Sequence, residues 1–439
     1  MPWSGARKAL AFVAIAELLA KSLWFSGTAV IPQLSREWHA GLAVTSWLTL
    51  TVQLGFVAGA LLLAITNLLD LTSAARIFAV SSLLGAAFTA AFALVAARHI
   101  GLALLLRFLT GMTAAGVYPT GMKVLTGWYR RGHGLAMGIV VGAITIGSAL
   151  PHAVHIGSLP WRGVIYVCAG FSLIAGVLML FGVEEGPYKS LAPRFDFRQV
   201  TEALRNRELR LANLGYLGHM WELYSMWGWI TLLLAAAAPT ASHNALETIS
   251  FFAIAVGAMG CVWAGYASDR NQRRAPSSPT AGAPPVACSE QSRRARDGVV
   301  VDVRARSRVT IVAMVVSGTC CVLAAVFFHH FWVLTAIALV WGVSVVADSA
   351  QFSTITSEVA DQRYVGTALT MQTAMGFLLT SVSIRLVADV ASAYGWRWAA
   401  LSMAAGPAVG IVAMLRLGRE RDATSARLPD EWVEEITSP

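Results

Sequence analysis

Residues Phe12–Ile31 read FVAIAELLAKSLWFSGTAVI, a run in which only Glu17 and Lys21 carry charge. As an α-helix rising about 1.5 Å per residue, the stretch matches the roughly 30 Å hydrocarbon core of a bilayer. An isolated charge at that depth costs at least about 2.5–3.5 kcal/mol on insertion scales, so the face bearing it must meet protein or a watery cavity. Glu17 and Lys21 are four residues apart and share that face, with the acid N-terminal to the base, the favourable order. The two charges within an apolar helix thus predict a membrane span with a polar duty, or an ion pair that fixes helix packing.

Apolar runs of similar length recur outward from this one. Their approximate limits are 9–33, 43–66, 75–97, 100–128, 135–157 and 163–183, then 211–237, 245–267, 309–328, 331–353, 364–387 and 396–415. The chain of 439 residues is 56% hydrophobic and 13% charged, about half the charge of a soluble protein. These features predict an all-α integral membrane protein of twelve transmembrane helices. The first run is too long for a signal-peptide core and is expected to be retained.

A net charge of +9 would suggest nucleic acid in a soluble domain, but its distribution points elsewhere. Of 33 Lys and Arg residues, 25 fall on the side that holds the N-terminus. Arg36, Arg98, Arg162 and Arg397 fall on the other side, and Lys21, Arg107, Lys123 and Arg385 lie within spans. This is the positive-inside asymmetry, which predicts cytoplasmic N- and C-termini. The expected setting is the plasma membrane, the inner membrane of a bacterium, with the lipid bilayer as partner and no nucleic acid. Lys123 and Arg385 are expected to snorkel to the two surfaces. Cys168, Cys261, Cys320 and Cys321 lie in spans and Cys288 in a loop, a pattern with no disulfide framework.

The two halves of the chain repeat. RGHGLAMG at 131–138 aligns with YVGTALT at 364–370, Gly134 falling on Gly366 at an offset of 232, and PWRG at 160–163 aligns with GWRW at 395–398. Asp70 corresponds to Asp269 at an offset of only 199. The difference locates an insertion at 273–308, rich in Pro, Ser and Arg, which is expected to be a mostly disordered cytoplasmic loop. The halves are therefore 1–190 and 211–415, followed by a cytoplasmic tail at 416–439. They are joined by 191–210, where Phe197, Val200 and Leu204 share the apolar face of an interfacial helix.

Gly265–Arg274, GYASDRNQRR, resembles the loop signature of the major facilitator superfamily, with Gln272 at the position of its second glycine. The first-half copy, TNLLDLTSAAR at 66–76, keeps Asp70 and Arg76 but has Thr66 for the glycine. Arg107–Ala115, RFLTGMTAA, is similar to the superfamily's arginine–glycine–small pattern in span 4. The resemblance implies two pseudo-symmetric six-helix bundles that rock about a midplane substrate site. It also implies that Asp70, Arg76, Asp269, Arg270 and Arg274 act as gate residues. The chain further resembles the nitrate/nitrite porter branch, which clasps its anion with arginines in spans 2 and 8. Here 43–66 and 245–267 contain no Arg or Lys, so a larger organic acid fits at least as well.

Span 7 carries GHMWELYSMW at 218–227, which puts His219 and Glu222 on one face at the depth of the span 1 charges. Span 10 adds Asp348, Ser349 and Gln351, and span 4 adds Arg107 and Tyr118. In the superfamily the first and fourth helices of each half line the pathway. A carboxyl group in a poorly hydrated cavity is a natural proton carrier. This reasoning ranks Glu222 first, then Glu17, with His219 and Asp348 beside them. Lys21 and Arg107 are candidates for holding an anionic group, and Tyr118, Ser349 and Gln351 for other polar contacts. Trp24, Trp221, Tyr224 and Trp227 would form a wall. Gly55/Gly59 and Gly138/Gly142 are small-xxx-small pairs suited to close helix contact.

The expected activity is secondary transport of a small polar or anionic solute by a monomer, coupled to protons. No P-loop, metal cluster or nucleophile–base arrangement occurs in the sequence, so neither ATP-driven transport, a cofactor nor an enzyme is expected. The alternative is proton-driven efflux of drugs or metabolites. Its usual glycine–proline signature in span 5 is replaced by GIVVGAITIGSALP at 138–151.

Overall fold

The computed structural model describes residues 2–66, 68–129, 133–157, 159–184, 186–188, 205–274, 287–360 and 365–426. Among them all regular structure is helical. Eleven helical stretches are long and apolar enough to cross a membrane: Gly5–Ala29, Leu42–Thr66, Ala74–Val95, Ile100–Thr126, Gly134–His155, Trp161–Gly182, His243–Tyr266, Arg306–Val326, Phe331–Val359, Val365–Tyr394 and Trp396–Glu420. The twelfth, Arg207–Ala237, is longer than any of these, but its polar and aromatic residues dilute its apolarity. In chain order these are spans 1 to 12, with Arg207–Ala237 as span 7.

The spans pack as two six-helix bundles of like design. In the first, span 1 packs on spans 5 and 6, span 2 on span 4, and span 3 on spans 4 and 6. The second repeats every one of these pairings: span 7 on spans 11 and 12, span 8 on span 10, and span 9 on spans 10 and 12. The bundles meet along two symmetry-related seams, span 5 with span 8 and span 2 with span 11.

Glycines permit the closest approaches. A β-carbon on Gly55 or Gly59 of span 2 would run into the backbone carbonyls of Phe108 or Met112 in span 4. One on Gly138 of span 5 would stand 2.7 Å from the Cys261 carbonyl of span 8, and one on Gly142 would stand 3.3 Å from that of Ala258. The first glycine pair thus serves packing within a half, and the second serves the seam between halves.

Span 4 is helical to Ala114 and resumes at Tyr118. Pro119, near the start of the second segment, cannot donate its backbone nitrogen to the turn before it. Span 10 breaks at Asp348, between Phe331–Ala347 and Ser349–Val359. Asp348 follows Gly116 by 232, the offset of the sequence repeat, so both fourth helices are interrupted at the same level.

One segment departs from the sequence expectation. The helix of span 9 begins at Ala287, so much of the expected unstructured insertion at 273–308 is helical. Its alanines, arginines, glutamate and glutamine are good helix formers, and they continue a helix already nucleated by the span. Residues 275–286 of the insertion lie outside the described residues, as do 191–204 of the connector, with Phe197, Val200 and Leu204, and the tail beyond 426.

Candidate functional site

A cavity lies between the bundles at the level of the two helix breaks. It has a volume of ≈ 140 Å³, room for several water molecules. Span 1 contributes Glu17, Lys21 and Trp24, span 4 Tyr118, and span 7 Tyr216, His219, Tyr224 and Trp227. Ser349 comes from span 10, and Phe56 and Phe377 from spans 2 and 11.

Glu17 is 1% exposed, and neither carboxylate oxygen has a hydrogen-bond partner. It lies against the bare backbone of Gly121, where a β-carbon would collide with Oε1. Lys21 is one turn farther along the same face. Its Nζ stands 3.6 Å from the ring centroid of Trp24 and 5.8 Å from that of Tyr224, a cation–π seat. Among the described residues the two form no ion pair, so the packing-only reading of these charges fails. The two side chains instead line the same enclosed space.

Across the cavity, His219 Nε2 is 3.0 Å from Ser349 Oγ, and its Nδ1 is 2.9 Å from Asp348 Oδ1. The second approach is close but poorly aligned, and it leaves Asp348 Oδ1 without a hydrogen bond. The break in span 10 aims Asp348 at the histidine rather than at its own helix, whose N-terminus it does not cap. Tyr118 opens its ring to the cavity from the matching break in span 4.

Aromatic side chains close the cavity towards the end where span 1 finishes. Phe56 and Phe377 meet across the halves at 4.2 Å between centroids, and Trp24 packs on both at 5.1 and 5.3 Å. Tyr224 contacts Phe377 at 5.1 Å and Trp227 at 5.8 Å. The indole nitrogens of Trp24 and Trp227 have no hydrogen-bond partner. Three of the four aromatic candidates, Trp24, Tyr224 and Trp227, therefore form this wall.

Asp348 backs His219 without lining the cavity, and four other expected site residues point elsewhere. Glu222 turns into the second bundle, accepting hydrogen bonds from Trp341 Nε1 at 2.6 Å, Ser317 Oγ at 2.8 Å and Cys321 Sγ at 3.2 Å. All three donors come from spans 9 and 10, so Glu222 joins helices and does not reach the cavity. Arg107 is fully buried and donates to the carbonyls of Trp24 at 2.7 Å and Leu23 at 3.1 Å, to Ser26 Oγ at 3.2 Å and to the Leu48 carbonyl at 3.4 Å. It reaches span 1 because Gly27 presents no side chain there. Its donors are thus occupied by the scaffold, which leaves Lys21 as the cation of the cavity. Trp221 donates to the Ser402 carbonyl at 3.3 Å in span 12, and Gln351 accepts from Arg306 at 3.0 Å in span 9.

The family model of the Major Facilitator Superfamily matches residues 10–284, well over half of the chain. The chain belongs to the major facilitator superfamily. A crystal structure titled as a bacterial homolog of the human lysosomal transporter Spinster, in an inward-facing and occupied conformation, shares its fold at a TM-score of 0.65. That likeness covers 93% of this chain and 96% of the other at 13% identity. No curated protein matches the chain in sequence.

For a superfamily member, the contacts between halves at the end where span 1 finishes carry weight, and the sequence reading missed the main one. Glu247 of span 8 is 1% exposed and held by two histidines of span 5, His152 Nδ1 at 2.7 Å and His155 Nδ1 at 3.1 Å. Gln33, just past span 1, reaches His155 Nε2 at 2.7 Å. The available signal was the spacing: His152 and His155 one turn apart, and His243 and Glu247 four residues apart. Arg385, expected to snorkel, instead donates to the Ala43 carbonyl of span 2 at 2.7 Å and to Asp389 at 2.9 Å. At the other end Arg76 is exposed. The side chains of Asp70, Asp269, Arg270 and Arg274 lie outside the described residues.

Proposed function

We propose that this chain is a proton-coupled secondary transporter of a small organic anion with an apolar body, working by alternating access between the two bundles. The observation that carries the reading is the pair Glu17 and Lys21, buried in one cavity with neither paired to the other. An anion seated on Lys21 would lie against Trp24, Tyr224 and Trp227, with Tyr118, His219 and Ser349 available to its polar groups. Glu17, one turn away, is the proton site of this reading. A proton on its carboxyl removes a negative charge from the neighbourhood of the bound anion, so proton and substrate favour each other's binding and symport follows. His219 on the opposite wall, with Asp348 behind it, is a second candidate for holding a proton.

The positive-inside distribution supports cytoplasmic termini, and under that orientation the aromatic wall and the Glu247–histidine contact lie on the outer side. Opening outward would then separate Phe56 from Phe377, Glu247 from His152 and His155, and Arg385 from the Ala43 carbonyl. The absence of span 2 and span 8 basic residues argues against nitrate. Efflux by exchange against protons would use the same residues in the opposite sense.

Proteoliposomes loaded with a pH indicator test this reading against a panel of organic anions. Acidification of the lumen on addition of one class supports symport, and alkalinisation supports antiport. Lys21→Met is expected to weaken binding of the active anion at least tenfold with the unfolding midpoint unchanged. Wild-type affinity in Lys21→Met would sink the assignment of the anion site.

A further inference from the structure

The contact between halves at Glu247 has the make-up of a metal site. His155 and Glu247 are buried, and with His243 they offer ligand atoms that all lie within 4.8 Å of one another. Glu247 Oε1 is 3.1 Å from His155 Nδ1 and 4.0 Å from His243 Nδ1. A tetrahedral zinc ion, with bonds of about 2.0–2.2 Å, sets its ligand atoms about 3.3 Å apart, so small rotations of these side chains suffice. The rings of His155 and His243 already meet edge to face at 4.5 Å between centroids. His243 and Glu247 sit one turn apart on a single helix, which fixes their directions.

The surroundings fit as well. A metal-bound histidine normally has its second ring nitrogen engaged, and Gln33 stands 2.7 Å from His155 Nε2. Gln33 Oε1 has no partner. With the amide turned over, that oxygen accepts the Nε2 proton and leaves the Nδ1 lone pair to a metal. His152 Nδ1 holds the other carboxylate oxygen of Glu247 at 2.7 Å, fixing the angle of the carboxylate. The side chain of His243 is 39% exposed, which gives an ion a route in from solvent.

We propose that a borderline divalent transition metal of the zinc class binds here through His155, His243 and Glu247, with water completing the shell. The nitrogen and carboxylate donors select zinc, cobalt or nickel over magnesium and calcium. His155 belongs to the first bundle and the other two ligands to the second, so the ion ties together surfaces that alternating access must part. Binding itself requires no transport, so it can be measured whether or not the transport reading stands.

The test uses the full chain, without a polyhistidine tag, in detergent micelles. Zinc affinity is read by competition with a chromophoric chelator, and site geometry by the visible absorption of cobalt(II). One equivalent per chain is expected, with the strong absorption of four-coordinate cobalt. His243→Ala, at the exposed rim, and Glu247→Gln, which keeps the side-chain shape, should each weaken zinc at least tenfold while eluting as folded protein. Absence of stoichiometric binding, or wild-type affinity in both variants, would overturn the proposal.

Discussion

Glu17 and Glu222 occupy the corresponding first helices of the two halves and are equally buried, yet replacing them should have opposite consequences. Glu222 is the acceptor for Trp341, Ser317 and Cys321. In Glu222→Ala the Trp341 N–H loses its acceptor, and indole has no other way to be satisfied. An orphaned buried donor costs about 1–3 kcal/mol in soluble proteins, whereas hydrogen bonds between membrane helices average about 0.6 kcal/mol. Ser317 can turn to the Met314 carbonyl, already 3.4 Å away, and the thiol of Cys321 is a weak donor, so these two add little. With the void left by truncation, the net loss should be about 2–4 kcal/mol. Glu222→Gln keeps an oxygen for Trp341 and Cys321 and should cost less than about 1 kcal/mol. Glu17 makes no hydrogen bond, so Glu17→Gln removes none and should leave stability within about 1 kcal/mol of wild type.

Transport should divide the other way. Glu17→Gln should abolish uptake driven by a pH gradient while substrate exchange at equal pH continues, and Glu222→Gln should keep both. Stability would be read from unfolding in mixed SDS micelles, and coupling from proteoliposomes with and without the gradient. The reasoning is refuted if Glu222→Ala unfolds at the wild-type midpoint, or if Glu222→Gln loses coupling while Glu17→Gln keeps it.

Two further outcomes follow from packing. Arg107→Lys keeps the charge but cannot reach the carbonyls of Leu23, Trp24 and Leu48 together. It should lower stability by about 1–3 kcal/mol in the same unfolding assay, leaving the affinity of surviving protein within threefold of wild type. Gly138→Val places carbon 2.7 Å from the Cys261 carbonyl at the seam of spans 5 and 8. It should slow exchange at least tenfold with substrate binding preserved, because it obstructs one packing of the halves and not the cavity; an unchanged exchange rate would count against a moving seam there.

The number and order of the spans were legible because a membrane helix announces itself by length and apolarity alone, conditions that eleven helices meet and span 7 nearly meets. Which way a charge points was not legible. A helix apolar on nearly every face carries no stripe to mark its inner side, so Glu17 and Glu222 look alike in sequence although one faces the cavity and the other a ring of donors. Arg107 was misjudged because its partners are mostly backbone carbonyls, which have no letter in the sequence. The Glu247 cluster was missed for another reason. Its members lie near the ends of spans in both halves, where polar residues pass for ordinary boundary chemistry until the fold brings them within 3–4 Å.

The repeat also explains why the mechanism need not be symmetric. Both halves break their fourth helix at the same level and bury a glutamate in their first, but only the first half leaves its acid unsatisfied. The second half binds its own acid with a tryptophan, a serine and a thiol, and sets His219 and Ser349 on the cavity wall instead, with Asp348 behind the histidine. A buried carboxyl held by three donors has its geometry fixed by the scaffold, whereas one with none can change partners as the bundles move. At the offset of 199 Glu222 falls on Leu23 and not on Glu17, so the two acids are not copies of one position, and under the proposed mechanism the surrounding donors determine which exchanges a proton. Grafting the idea back is direct: in Trp341→Phe the strongest donor to Glu222 is gone, and if partner number governs the division of labour, that carboxyl should become reactive to a hydrophobic carbodiimide while Glu222 of the wild type stays inert.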